Sequence, residues 1–203
     1  MSFVYPFVKF SELNITRVVV VSLVPIIMPL MVFLALYYYP STEKKSIAKK
    51  IVKDYSRRKK NRQLVVISVL KGAFIFAADL IREIKLPVQL EFVRISSYGS
   101  STISSGKIDA PLLLLPDLTG RDILIVEDIV DSGRTVSFLK DYIRAQYRPK
   151  SLKVVCLLNK EARREVDIKA DYVGFEVEDY FLVGYGLDSA EDFRHLPFLA
   201  IYS

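Results

Sequence analysis

The chain has 203 residues, 51% hydrophobic and 26% charged, which is enough to bury one sizeable core and too apolar for a disordered chain. Its single cysteine, Cys156 in the run VVCLL, and its single histidine, His195, exclude a disulfide framework and a Cys/His zinc site; the first reads as buried packing and the second as surface. The net charge of +6 is uneven: residues 43–62 hold ten Lys/Arg against two acids, so the remainder of the chain sums to −2.

The first 40 residues do not match the rest. Between Arg17 and Glu43 the sequence VVVVSLVPIIMPLMVFLALYYYPST carries no charge, a length that makes it a transmembrane candidate on hydropathy. If residues 18–40 spanned a bilayer, the basic excess behind them would hold the following domain in the cytoplasm. Pro25, Pro29 and the Val-rich opening argue against one continuous helix. The other readings are a packed N-terminal extension and a start site placed too far upstream. The start is too weakly basic, and the apolar part too long, for a usual signal peptide. Residues 1–40 are therefore set apart as an apolar extension, and 41–203 as the domain.

Ser41 is the expected N-cap of a helix running to about Arg58, with Ile47, Ile51, Val52 and Tyr55 as its apolar stripe and lysines opposite. Basic residues on a solvated helix face, without interleaved aromatics, do not predict nucleic-acid binding. LVVISVL (Leu64 to Leu70) is a strand buried on both faces, followed by Lys71-Gly72 and a helix to Ile84. Val88 to Ser96 reads as a strand, Tyr98 to Leu118 as a loop or hairpin, and Ile123 to Val126 as a third strand. TVSFLKDYIRAQY is helical, and SLKVVCLLN and DYVGFEV are further strands. The alternation predicts an α/β fold: a mostly parallel twisted sheet flanked by helices, with its ligand crevice at the carboxyl ends of the strands. Four loops qualify: Lys71-Gly72, Glu127 to Thr135, the neighbourhood of Lys160, and Asp179 to Asp188.

The segment ILIVEDIVDSGRT carries the chemistry. Glu127 and Asp128 leave the strand together, where they can bind ribose hydroxyls or a hydrated divalent cation. Asp131, Ser132, Gly133, Arg134 and Thr135 then turn into a helix whose first N–H groups, with the two hydroxyls, make a phosphate cradle. It is not a Walker A loop. Carboxylates for sugar and metal beside a phosphate cradle imply a ribose 5-phosphate ligand.

VEDIVDSGRT resembles the phosphoribosyl-pyrophosphate motif of type I phosphoribosyltransferases. SVLKGAFIFAADLIREI, FVRISSYGSS and DYVGFEVEDYFLVGYGLDSAEDFRHLP are similar, in that order, to hypoxanthine-guanine phosphoribosyltransferases, over about residues 41–203. The resemblance implies that fold, with a small hood drawn either from about 179–203 alone or from that segment together with the N-terminal one. It implies a magnesium-dependent purine salvage reaction in which hypoxanthine or guanine and phosphoribosyl pyrophosphate give the nucleotide and pyrophosphate. Residue by residue, Leu70, Lys71, Gly72 and Arg194 would bind pyrophosphate, with a cis peptide between Leu70 and Lys71. Ser97 and Tyr98 would open a loop that closes over the reacting centre. Lys160 would donate to the purine 6-oxo group, Phe181 would stack on the base, and the Leu182 backbone would read its edge. Asp188 would hold magnesium directly, Glu127 and Asp128 would act through ribose or water, and Asp131 would be the general base. The resemblance further implies a homodimer or homotetramer in the cytoplasm. Tyr180 and Leu182 depart from some members, which leaves a xanthine-preferring transferase open beside the hypoxanthine/guanine reading. A non-catalytic nucleotide sensor on the same fold is the alternative from another class.

Overall fold

The structure, a computed structural model, describes residues 28–56, 63–95 and 115–202. Helix α1 (Met28–Tyr55) leads into strand β1 (Leu64–Leu70), helix α2 (Phe74–Glu83) and strand β2 (Val88–Arg94). Strand β3 (Asp122–Val130), helix α3 (Arg134–Tyr147) and strand β4 (Ser151–Asn159) follow. A single 3-10 turn (Glu161–Arg163), strand β5 (Tyr172–Glu176) and two short strands, β6 (Leu182–Val183) and β7 (Ala200–Ile201), complete the described chain.

The five long strands form one parallel sheet in the order β2-β1-β3-β4-β5. Alternate residues of each strand enter different cores, which is why the sequence shows continuous apolar runs. Val66, Leu124, Val126 and Leu157 pack with Ile47 and Ile51 of α1 and Phe76 and Leu80 of α2. Val65, Ile67, Ile125 and Cys156 pack on the opposite face against Val136, Leu139 and Ile143 of α3. Burial pushes the Cys156 thiol up to about 12, so it stays protonated as packing. β1 has β2 on one side and β3 on the other, so the order reverses between β1 and β3. A crevice is expected beyond the carboxyl ends of those two strands.

Two boundaries differ from the sequence expectation. Ser41 does not cap a helix, because α1 begins at Met28 and runs on through Pro40. Pro29 stands in its first turn, where the missing N–H has no partner to lose, and the packed turns after Ile47 stabilise the helix beyond Pro40. β3 does not stop at Val126: it pairs with β4 through Glu127↔Cys156 and Ile129↔Leu158 as far as Val130↔Asn159. The paired carboxylates therefore sit on strand, not on loop. The apolar segment 18–27 and the loop containing Ser97 and Tyr98 lie outside the described residues. Among the described residues no helix is long and apolar enough to cross a membrane.

The expected stripe on α1 is buried: Ile47 and Ile51 are fully covered and Tyr55 nearly so, while Lys49, Lys50 and Lys53 face out. The C-terminal segment is fastened to the helices through Asp79 of α2. Its carboxylate accepts from Lys44 at 2.5 Å and from the Tyr185 hydroxyl at 2.7 Å, and also pairs with Arg82. Burial pushes that carboxyl up, but the hydrogen bonds from Lys44, Tyr185 and Arg82 outweigh it and hold Asp79 below the ordinary range. β6 and β7 pair antiparallel, Leu182 with Ile201.

Replacing Ile51 by Ala should cost about 2–5 kcal/mol of unfolding free energy, since a fully buried side chain is lost from the core. Lys50→Ala, one residue away on the exposed face, should change stability by less than about 0.5 kcal/mol. Urea unfolding of the two variants beside the wild type measures the contrast.

Candidate active site

The carboxyl end of β1 carries Lys71 and Gly72, and the Leu70–Lys71 peptide is cis, as the resemblance implied. Gly72 lies against the neighbouring strand end so closely that a Cβ there would fall 1.8 Å from Asp128 Oδ2. A Cβ on Gly186, whose φ is +107°, would fall 2.1 Å from the Gly72 carbonyl oxygen. No side chain fits at either position without moving backbone or carboxylate. Two glycines thus bring the loop after β1, the carboxylates of β3 and the segment after β6 into direct contact.

Glu127 is buried beneath this junction and accepts the Asp128 N–H at 3.2 Å. Desolvation, reinforced by the adjacent Asp128 carboxylate, pushes its carboxyl well above the ordinary range. Asp128 is half-buried beside it.

The turn into α3 is built from Gly133, at φ +83°, with Ser137 N–H donating to the Gly133 carbonyl at 3.0 Å as the helix closes its first turn. The N–H groups before Ser137 have no intrahelical acceptor, which is what an anion at a helix start requires. Arg134 N–H is 3.4 Å from Ser132 Oγ, while the Arg134 guanidinium turns outward to pair with Glu165. Thr135 is half-buried in the same turn. Asp131 points one oxygen, Oδ1, into a buried position where it has no hydrogen-bond partner among the described residues.

The turn is braced from behind by residues that the sequence does not single out. Arg164 donates through Nε to the Asp131 carbonyl at 3.0 Å, and through Nη2 to the Val130 carbonyl at 3.2 Å and Asn159 Oδ1 at 2.6 Å; Nη1 reaches the Ile168 carbonyl. Glu165 and Val166 N–H groups both donate to the Ser132 carbonyl, at 3.0 and 3.2 Å. A Cβ on Gly133 would lie 2.5 Å from Ile168 Cγ2, so this brace also requires the glycine.

Past the end of β4, Lys160 is 5% exposed rather than one of a run of surface charges. Its Nζ donates to the Tyr180 carbonyl at 2.7 Å and stands 3.5 Å from Asp179 Oδ1. Arg163 bridges the same Asp179 oxygen, at 3.4 Å, to Asp131 Oδ2, at 3.8 Å. Phe181 is not core: it is 54% exposed, with Tyr202 against it at a centroid distance of 6.1 Å. Leu182, half-buried, opens β6 next to it. One aromatic face, an anchored ammonium and an unpartnered carboxylate oxygen suit a flat heterocycle with both acceptor and donor edges.

Asp188 and Arg194 form the other end, with Arg194 Nη2 2.8 Å from Asp188 Oδ1 and Nη1 donating to the Gly186 carbonyl at 2.8 Å. Among the described residues no three His, Cys, Asp or Glu side chains converge as a metal cage. A divalent cation could take one or two of the carboxylates Glu127, Asp128 and Asp188 and complete its shell with substrate oxygens and water. That all-oxygen, partly protein arrangement fits magnesium and not zinc. Glu191, Arg163, Arg164 and Asp179 are the residues that sequence reasoning left out. Neither spacing nor residue type separates them from ordinary surface charge.

The phosphoribosyl transferase domain family matches residues 38–190 of the chain. The hypoxanthine-guanine phosphoribosyltransferase of Bacillus subtilis is 51% identical over 137 residues, which cover 68% of this chain and 76% of that protein. A crystal structure of a hypoxanthine-guanine phosphoribosyltransferase from Bacillus anthracis superposes with a TM-score of 0.72 at 45% identity, covering 82% of this chain and 95% of that one. The Leishmania tarentolae enzyme in complex with GMP superposes with a TM-score of 0.72 at 34% identity, covering 83% and 94%. With its sheet order, the motif at the end of β3 and these matches together, the chain belongs to the type I phosphoribosyltransferases, among their hypoxanthine-guanine members.

Proposed function

We propose that this chain transfers the phosphoribosyl group of phosphoribosyl pyrophosphate to a 6-oxopurine, hypoxanthine or guanine, releasing pyrophosphate. The observation that carries this is the junction itself: an anion-binding turn, two strand-end carboxylates and a buried lysine beside an exposed phenylalanine meet at the carboxyl ends of β1, β3 and β4. Relatives bearing both hypoxanthine and guanine in their names support the substrate pair.

In this reading the 5-phosphate sits on the turn of Asp131, Ser132, Gly133, Arg134 and Thr135, held by backbone N–H groups and hydroxyls, with Arg164 keeping the turn in shape. Glu127 and Asp128 accept the ribose hydroxyls. Lys71, the Leu70 and Gly72 backbone, and Arg194 bind the pyrophosphate. Phe181 stacks on the purine, Lys160 donates to its 6-oxo group and the Leu182 backbone meets its edge. The loop opened by Ser97 and Tyr98 excludes water that would otherwise capture the activated sugar.

Purine N9 attacks ribose C1 as the C1–O bond to pyrophosphate breaks and the leaving group takes the electron pair. Asp131 takes the N7 proton through Oδ1, whose lack of a partner leaves it ready to accept. Positioning and charge complementarity supply the rest of the acceleration. Magnesium, when held by Asp188 directly and by Glu127 and Asp128 through ribose or water, would neutralise charge growing on the leaving pyrophosphate. Residues 179–203 serve as a hood over the base, which is supported by the separate β6–β7 sheet and by the contacts of Lys160 with Tyr180 and Asp179. Assembly as a homodimer or homotetramer belongs to the same reading. So does a cytoplasmic location, supported by the high charge of phosphoribosyl pyrophosphate, which does not cross bilayers unaided.

Pyrophosphate release measured with hypoxanthine, guanine, xanthine and adenine in turn tests the function; release with hypoxanthine or guanine and none with adenine is expected, and no release with any base would refute it. Lys160→Ala in that assay should narrow the preference for 6-oxopurines over adenine by at least about tenfold, because adenine no longer meets a donor with a donor. Asp131→Asn should lower kcat by about 100-fold or more while changing the KM for phosphoribosyl pyrophosphate only a few-fold, a split that steady-state kinetics resolves.

Glu127 gives a pH signature. Folding raises its pKa, so its contribution to stability is fully present below the ordinary carboxylate range and is lost as pH rises toward the folded value. Glu127→Gln should therefore gain stability over the ligand-free wild type progressively as pH rises above the ordinary carboxylate range, read from urea midpoints across a pH series.

A further inference from the structure

At the pyrophosphate end stands one charged group that the chemistry above does not use. Glu191 accepts two hydrogen bonds from Lys71 Nζ, each 2.9 Å, and its Oε2 lies 3.4 Å from Arg194 Nη2. Its own N–H donates to Asp188 Oδ2 at 2.9 Å, while Asp188 Oδ1 holds the same Arg194 nitrogen at 2.8 Å. The contacts close a ring through Glu191, Arg194 and Asp188, and Lys71 is tied to it through Glu191. Ala190, Glu191 and Phe193 all have left-handed backbone, at φ +51°, +71° and +72°, a conformation rare for residues with side chains. The ring fixes that turn so that the Glu191 carboxylate reaches across to the loop after β1.

Both side-chain cations assigned to the leaving group therefore already share a carboxylate. We propose that Glu191 is an internal counter-ion: it keeps Lys71 and Arg194 converged in the ligand-free protein, yields them to pyrophosphate, and takes them back as pyrophosphate leaves. This rests on the reading of Lys71 and Arg194 as pyrophosphate ligands. A single exposed carboxylate cannot compete with a multiply charged anion chelated by two cations, so binding proceeds. Every binding event must nevertheless break these contacts, which weakens pyrophosphate affinity and favours its release. With side chains 46% and 63% exposed for Lys71 and Glu191, solvent screening keeps the effect small, about two- to fivefold in affinity.

The test is the inhibition constant of inorganic pyrophosphate, with magnesium, against phosphoribosyl pyrophosphate in the full chain. Glu191→Gln keeps the side-chain size and the N–H bond to Asp188 while removing the charge; it should bind pyrophosphate about two- to fivefold tighter than the wild type. Glu191→Asp, charged but too short to grip Lys71 with both oxygens, should fall between them. The gain from Glu191→Gln should shrink in a Lys71→Ala background, a coupling that a merely structural role would not produce. Unchanged or weaker pyrophosphate binding in Glu191→Gln, with an unaltered thermal melt, would overturn the inference and make Glu191 a support for Lys71. If Lys71→Ala alone leaves pyrophosphate affinity unchanged, the ligand reading falls and the counter-ion falls with it.

Discussion

The site depends on the close approach of three backbone segments at Gly72. A methyl group on Gly72 would overlap the Asp128 carboxylate, and one on Gly186 would overlap the Gly72 carbonyl. These contacts bring the end of β1, the end of β3 and the segment leading to Asp188 to one point, though they are far apart in sequence. A side chain at Gly72 would displace the Asp128 carboxylate, and one at Gly186 would displace the backbone at Gly72. The chemistry read from the residues needs the ends of β1 and β3 within one substrate's length.

Around that junction, charge is arranged so that few groups stand alone. The cations Lys71 and Arg194 face Glu191 and Asp188, Lys160 is anchored to the Tyr180 carbonyl, and Arg163 reaches from Asp179 toward Asp131. Isolated charges near a low-dielectric crevice are costly, so a ligand-free site is more stable when each has a partner. Two carboxylates are less fully partnered: among the described residues Asp131 Oδ1 is buried with no partner, and buried Glu127 accepts only the Asp128 N–H. Both lie within the motif whose three acids first stand out in the sequence.

The scaffold beneath the site is conventional in its physics. A parallel sheet buried on both faces fixes β1, β3 and β4 side by side, and the switch in strand order opens a crevice between the first two. Asp79, by binding Lys44 and Tyr185, fastens α1, α2 and the C-terminal segment together. Arg164 does the same locally for the turn between β3 and α3, occupying four acceptors with one guanidinium. Planar multidentate donation of this kind is what arginine offers and lysine does not.

The sequence by itself determined the sheet and its order of elements, because buried parallel strands leave continuous β-branched runs and amphipathic helices leave a 3.6-residue stripe. It also determined the motif from Glu127 to Thr135, where two carboxylates on the strand are followed by a third, two hydroxyls and a glycine in the turn into α3. What it could not fix were contacts between residues distant along the chain. Arg163 and Arg164 are adjacent and identical in type, yet one stays exposed while the other turns inward onto the turn from Val130 to Asp131. Residue type and local spacing do not say that Lys160 is buried or that Phe181 is exposed; the fold decides both. The extension of β3 through Val130 depends on pairing with β4, and the course of α1 past Ser41 depends on packing that local capping signals do not report. Local pattern encodes which elements form; only tertiary packing decides which charges are neutralised by neighbours and which are left for a substrate.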